Sequence, residues 1–278
     1  MNILQSENYF KYLDTNTNIS LIKKIQISYE LQAGSYESTF KNEPIDLNKA
    51  MKQNALTLKK YILEIIKNNG KCNILEAGIG EGNILRYLLD IIDEETLNNI
   101  NFYGFDLSIS RLLITKKYLN KINLFVCDLK NIPIQNDFFD IVYTHSAIEP
   151  NRGFEENIIN ELYKKTSSYL ILFEPTYEEA NEQCKKRFDN LGYIKNLKNI
   201  INENNINLID YDLCYENDNY CQYKYIIKKE RIDTSCNKNT FLCPIFNIPL
   251  SFIKYNNINY YKTDNLCIHY PIVNDIPI

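Results

Sequence analysis

The chain has 278 residues, a formal net charge of −4 and an apolar fraction of 45%, which suits a soluble globular protein with a substantial core. The acidic balance argues against a generic nucleic-acid binder, which needs a basic face to displace counterions, though a local basic patch stays open. No apolar run approaches the ~18 residues of a membrane span, and the opening MNILQSENYFKYL has neither the basic nor the apolar region of a signal peptide. The eight cysteines are scattered and form no CxxC pair, so reduced thiols in a cytoplasmic protein are the expectation.

Residues 1–20 are polar and patternless, and 21–31 (LIKKIQISYEL) have helical spacing. YELQAGSYEST at 29–39 breaks that pattern. A long helix is predicted over about 46–68, with Leu47, Met51, Ala55, Leu58, Tyr61, Ile62 and Ile65 on one face. Then comes a regular alternation: strands at 72–77, 100–106, 122–127, 138–144 and 168–174, with helices at 82–93, 109–120, 153–166 and about 178–203. Strands alternating with helices imply a mostly parallel sheet with right-handed crossovers. Two further strands, 206–214 and 221–229, have no long helix between them and are expected as an antiparallel hairpin at one edge. After about residue 231 a linker leads to a proline-broken, β-rich tail. The expected division is 1–45, 46–231 and 232–278.

ILEAGIGEGN at 74–83 joins the end of the first strand to a helix. It carries Glu76 and then Gly78, Gly80 and Gly82 at every second position. Strand, glycine turn and helix form a nucleotide-type site in α/β sheets. The third glycine comes one residue too early for a dinucleotide fingerprint, and a carboxylate beside a pyrophosphate is unfavourable. The next strand ends in Asp106, followed by Leu107, where an acid can accept two hydrogen bonds from ribose hydroxyls. The third strand ends in Cys127-Asp128-Leu129, and the fourth reads NDFFDIVYT and includes Tyr143.

Taken together, ExGxGxG, the acids at successive strand ends and the FDxV segment resemble the class I S-adenosylmethionine (SAM) methyltransferases. The resemblance covers roughly 46–229. It implies a Rossmann-like seven-stranded sheet and SAM as cofactor. It places Glu76, Gly78, Gly80, Gly82, Asp106, Leu107, Asp128, Leu129 and Tyr143 beside that cofactor, with Asp128 meeting the adenine amino group and Leu129 its ring. YELQAGSY at 29–36 belongs to the segment that covers SAM in the family, which adds Tyr36 alongside Tyr29 and Gln32.

The loops after strands 4 and 5, HSAIEPNRG and EPTYEEA, face the methyl group in this fold. His145 and Glu149 are the candidate bases, and Glu174 is a candidate for orienting a hydroxyl or amine. No [ND]-P-P-[YF] follows strand 4, which weighs against nucleic-acid base amines and the release-factor glutamine as acceptors. The expected activity is methyl transfer to a hydroxyl or amine of a small molecule, such as a sugar or surface-glycan precursor. The rivals are an RNA or protein methyltransferase and a non-catalytic SAM-binding protein.

FLCPIFNIPL and YPIVNDIPI in the tail resemble the Trm112-like, zinc-ribbon-like module. Phe246 stands where that module has a second cysteine, and Asp275 where it has a glycine. Cys236, Cys243, Cys267 and His269 are too irregularly spaced for a closed four-ligand site, so a ribbon without metal is expected. Such a tail could cover the active site, stabilise the main domain or help bind substrate.

Overall fold

The computed structural model of the chain describes residues 9–13, 15, 18–35, 45–230, 241–256, 258–266 and 268–278. Tyr36, Cys236, Cys267 and the expected linker at 232–240 lie outside them. Before the first strand lie the helices α1 (Leu21–Gln32) and α2 (Ile45–Asn69). The predicted face of α2 is buried at Met51, Ala55, Leu58, Tyr61, Ile62 and Ile65; the Leu47 side chain is outside the described set. Gly70, at φ 76°, ends the helix, with its N–H on the Ile66 carbonyl.

The alternation follows as β1 (Cys72–Ala77), α3 (Asn83–Ile91), the short α4 (Glu94–Leu97), β2 (Ile100–Asp106), α5 (Ile109–Tyr118), β3 (Ile122–Val126) and β4 (Phe139–His145). It continues with α6 (Glu155–Lys165), β5 (Thr166–Pro175), α7 (Glu182–Leu191), α8 (Leu197–Glu203), β6 (Leu208–Asn217) and β7 (Tyr220–Lys228). These strands form one sheet in the order β3-β2-β1-β4-β5-β7-β6. β1 to β5 pair in parallel, whereas β7 runs antiparallel to both β5 and β6. Every residue of β5 is buried, as a continuous apolar strand covered on both faces must be. The expected helix over 178–203 is instead two helices. Gly192 at φ 66° and Asn196 at φ 60° take left-handed backbone between them, turning Tyr193 and Ile194 inward, where both are buried.

The tail forms a second, antiparallel sheet in the order β11-β10-β9-β8, from β8 (Leu250–Tyr255), β9 (Ile258–Thr263), β10 (His269–Val273) and β11 (Ile276–Pro277). It docks at the β3 edge of the main sheet. Phe241 packs edge-on against Phe125 at 5.4 Å, the Leu242 amide donates to the Pro133 carbonyl, and Ile276 is fully buried in the same apolar cluster as Leu119 and Leu124. Lys116 and Asp275 add an ion pair at 2.7 Å, but it is exposed and contributes little. Cys243 lies 3.0 Å from the Tyr270 hydroxyl, and His269 packs edge-on against Tyr260. Among the described residues no group of three or more His, Cys, Asp or Glu could hold a metal ion. Among them too, no helix is long and apolar enough to cross a membrane.

Burial of Ile276 ties the tail to the main core. Ile276→Ala should therefore lower the stability of the whole chain by about 2–5 kcal/mol, read as a shift of a single urea-unfolding transition. A separate early transition of the tail, with the main transition unmoved, would contradict the shared core.

Candidate active site

Residues 78–82 turn sharply between β1 and α3, and their geometry requires glycine. Gly78 and Gly80 have φ of 75° and 55°. A Cβ on Gly78 would come within 2.5 Å of the Ala147 Cβ, and one on Gly80 within 2.3 Å of the Arg111 guanidinium. The loop is bonded to its neighbour strand as well as to itself, the Gly82 amide donating to the Ile79 carbonyl. The Gly78 and Ile79 amides both donate to the Phe105 carbonyl, and the Gly80 amide donates to Asp106 Oδ2 at 2.9 Å.

Asp106 is thereby placed at the carboxyl end of β2. Its Oδ1 accepts the Ser108 amide at 2.9 Å. Each oxygen has one backbone donor, and a carboxylate has about four lone-pair sites, so acceptor capacity is left for a ligand. Glu76, on the adjacent strand, accepts from the Tyr143 hydroxyl at 2.7 Å. Burial pushes its carboxyl up to about 8, the Tyr143 bond opposes this, the charge of Asp106 adds to it and that of Arg111 opposes it. Tyr143 is itself buried and is not among the residues lining the cavity; it holds Glu76 instead of meeting a ligand. Asp128, after β3, accepts the Lys130 amide and pairs with the Lys130 ammonium at 3.4 Å.

Helix α1 lies over these strand ends. Gln26 donates to the Leu107 carbonyl at 3.3 Å. The Arg111 guanidinium sits 5.0 Å from the Tyr29 ring and 4.0 Å from Asp106. Beyond the helix, the Gly34 amide donates to Glu81 Oε1 at 2.8 Å. The other carboxylate oxygen of Glu81, the Ser28 hydroxyl and the Asn83 side-chain carbonyl are buried without a hydrogen-bond partner.

On the far side, β4 ends in His145, and Ser146 takes left-handed backbone at φ 51°. Asn54 donates to Gln222 Oε1 at 3.2 Å, which fixes the amide so that its nitrogen faces Ser146 Oγ at 3.0 Å and His145 Nε2 at 3.4 Å. The same nitrogen also lies 3.3 Å from the Phe173 carbonyl, so its two N–H groups have three neighbours, of which His145 is the farthest. Burial also pushes His145 down to about 4. The ring is neutral at pH 7 and a weaker base than a free imidazole. Glu149 Oε2 accepts from the Tyr220 hydroxyl at 3.0 Å, and the same hydroxyl meets Ser146 Oγ at 2.5 Å. Burial, then the charge of Glu149, keeps the Tyr220 phenol protonated.

Glu174 takes a different part from the one expected. It is fully buried and is not among the lining residues. Its two oxygens accept the Ala147 and Ile148 amides at 3.0 and 3.2 Å. It braces the loop that presents Glu149, and does not reach an acceptor.

One cavity of about 1080 Å³ joins the two sides. Of the residues expected from sequence, Glu76, Gly78, Asp106, Leu107, Asp128, Leu129, His145 and Glu149 line it, as do Tyr29 and Gln32. Gly80 and Gly82 shape the turn from behind, under Arg111 and Leu119. Arg111, Glu81, Ser28, Tyr220 and Gln222 also line it and escaped the sequence reading. Only Glu81 sat inside the glycine motif, where an acid between two glycines was a usable signal.

Comparison with family profiles finds no match, and neither does comparison with curated proteins. Solved structures do match. Magnesium protoporphyrin IX methyltransferase from Synechocystis PCC 6803, crystallised with bound SAM, superposes with a TM-score of 0.54 at 12% identity, over 77% of this chain and 100% of that one. A SAM-dependent methyltransferase from Aquifex aeolicus gives 0.42 at 15% identity, over 60% and 88%. The strand order, the single reversed strand β7 and the superposition together show that this chain has the Rossmann-like fold of the SAM methyltransferases, with an added antiparallel sheet at its C-terminus.

Proposed function

We propose that the chain is a SAM-dependent methyltransferase acting on a hydroxyl or amine of a small molecule. The observation that carries this reading is the single cavity that joins two unlike halves. One half is a glycine cradle ringed by carboxylates with open acceptor sites, which fits a ligand that is cationic and rich in donors. The other is a carboxylate–tyrosine pair fit to receive a proton. The bound SAM of the Synechocystis structure supports the first half.

The residues present suit the cofactor. Asp106 keeps lone pairs for a ribose diol, Asp128 and Leu129 stand where adenine is expected, and Gly78 lets ligand and backbone lie close. When bound, SAM supplies an electrophilic methyl on a sulfonium. The chain itself orients the acceptor and takes its proton at Glu149 Oε, with Tyr220 fixing that carboxylate from Ser146 and Gln222. Lys11, Lys186 and Arg187 also line the cavity, which suits an acceptor that carries an anionic group. A cavity of this size holds a cofactor and a small acceptor together, and that favours the small molecule over RNA or protein. Among the described residues the tail contributes nothing to the lining. Of the three roles open to a Trm112-like tail, its packing favours stabilisation.

Calorimetry tests the cofactor assignment. Asp106→Ala should weaken SAM by about 10–100-fold, the loss of hydrogen bonds to a charged group, and an unchanged affinity would overturn it. Methyl transfer from labelled SAM to fractionated metabolites identifies the acceptor. On it, Glu149→Gln should lower kcat by about 10²–10⁴-fold with SAM affinity intact. Glu76 gives a third test. Its carboxyl sits at about 8 without ligand, so at pH 7 it is mostly protonated, and a cation placed beside it favours the ionised form. SAM binding at pH 7 should therefore release a proton, and affinity should rise with pH up to about 8. Titration in buffers of different ionisation enthalpy reads this directly, and Glu76→Gln should abolish it.

A further inference from the structure

We propose that Asn54 and Gln222 are positioning residues for methyl transfer: they fix the direction of a buried chain of hydrogen bonds, so that every donor in it points toward Glu149. The proposal rests on the reading of Glu149 as the base. It adds to that reading a residue of α2 that is not among those lining the cavity.

The direction follows from one atom that has no choice of role. The Phe173 carbonyl, on buried β5, can only accept. The end of the Gln222 side chain that lies 3.3 Å from it is therefore the nitrogen. The amide oxygen is turned to Asn54, whose nitrogen donates to it at 3.2 Å. Of the two Gln222 N–H groups, one faces Phe173. The other has Ser146 Oγ as its nearer neighbour, at 3.0 Å against 3.4 Å for His145 Nε2. Ser146 Oγ is then a receiver, and its own hydrogen goes to the Tyr220 oxygen at 2.5 Å. The Tyr220 hydrogen goes on to Glu149 Oε2 at 3.0 Å. Each group passes on one hydrogen, and the last, an ionised carboxylate, has none to give. Donors arranged in series polarise one another in the same sense.

Packing does not call for an amide at the start of this chain. Asn54 is 2% exposed and shares the buried face of α2 with Met51, Ala55 and Leu58. Among the described side chains of α2 it is the only amide or charged one that is buried. Its partner Gln222 is 3% exposed. Two buried amides that face each other can be exchanged for apolar groups of similar shape at little cost in stability. What the exchange removes is the direction. Without the Gln222 N–H, the Ser146 hydroxyl is free to turn, and the Tyr220 hydrogen can then point to Ser146 and away from Glu149. Ser146 is itself held at φ 51°, a left-handed conformation that costs a serine free energy and is kept where the surroundings determine it. Its amide donates to the same Phe173 carbonyl at 2.9 Å, so one atom anchors both Ser146 and the amide that faces it.

Paired substitutions test the chain, with labelled SAM and the metabolite fraction that accepts its methyl. Asn54→Leu should lower kcat at least fivefold, with KM within twofold and SAM affinity by calorimetry unchanged. Tyr220→Phe should lower kcat at least as far. With both substitutions present, Asn54→Leu should cost nothing beyond Tyr220→Phe, because Asn54 acts through that hydroxyl. A second pair separates this from a loss of folding. Asn54→Leu with Gln222→Leu removes both amides, so its urea midpoint should lie nearer that of the unsubstituted protein than Asn54→Leu alone, while kcat stays low. Losses that add fully in the first pair, a kcat restored in the second, or no loss at all would overturn the proposal. One readout needs no turnover. In protein carrying carbon-13 at tyrosine Cζ, the Tyr220 resonance, identified by its absence from Tyr220→Phe, should shift in Asn54→Leu, and an unmoved resonance would equally overturn the chain. Methyl transfer to no fraction would instead overturn the proposed function, with the Tyr220 resonance still testing the chain itself.

Discussion

The bonding of the glycine turn to the end of β2 is the constraint on which the site depends. Two consecutive amides, at 78 and 79, share the Phe105 carbonyl, and the amide at 80 takes an oxygen of Asp106. The turn and the acid therefore fix one another. Asp106 cannot swing away without stranding a buried amide, and the turn cannot relax without releasing the carboxylate. Everything on the cofactor side is referred to this joint. Arg111 lies against Gly80, Tyr29 lies against Arg111, and α1 follows.

The opposite half is built on a different principle. Its cavity-lining carboxylate, Glu149, is on a loop, and loops hold position poorly unless braced. Glu174 supplies the brace by taking two successive loop amides from the end of β5. A second hold comes from the break between α7 and α8, where the Ile194 amide reaches back to the Glu149 carbonyl at 3.0 Å. Two Glu-Pro pairs that look alike in sequence thus divide the work: one carboxylate faces the cavity and the other is spent on backbone.

Much of this was legible in advance, and the pattern of what was not has a physical cause. β1 and β2 fall where apolar runs and glycine punctuation place them, and α2 buries the face its spacing predicts, because local pattern decides which side of an element is apolar. The strand-end acids were legible for the same reason: their place in the fold follows from their place in the strand. Glu174 and Tyr143 misled because both are polar groups near the site whose partners lie elsewhere in the chain, on the loop after β4 and on β1, and only the tertiary fold reveals that those partners are protein and not ligand. Tyr220 and Gln222 were invisible for the converse reason, since they reach the site from more distant β7, in a chain with 22 tyrosines. The helix break at Gly192, like Glu81, was a miss with a local signal, here a glycine followed by two large apolar residues.

The reversal of β7 has a consequence for how the molecule comes into being. Because that strand runs against its neighbours, its first residues and not its last lie at the carboxyl edge of the sheet, and Tyr220 and Gln222 are among them. It can enter between β5 and β6 only after β6 has been made. On the ribosome most of the cofactor half has emerged by Leu129, with Tyr143, which holds Glu76, and Ala147, which lies against Gly78, still to follow, and all of these come well before the β7 residues that fix Glu149. The half that holds Glu149 is then the last part of the sheet to be assembled, through the pairing of β7 with β5 across two helices and β6, and long-range pairing is the slow kind of contact to close.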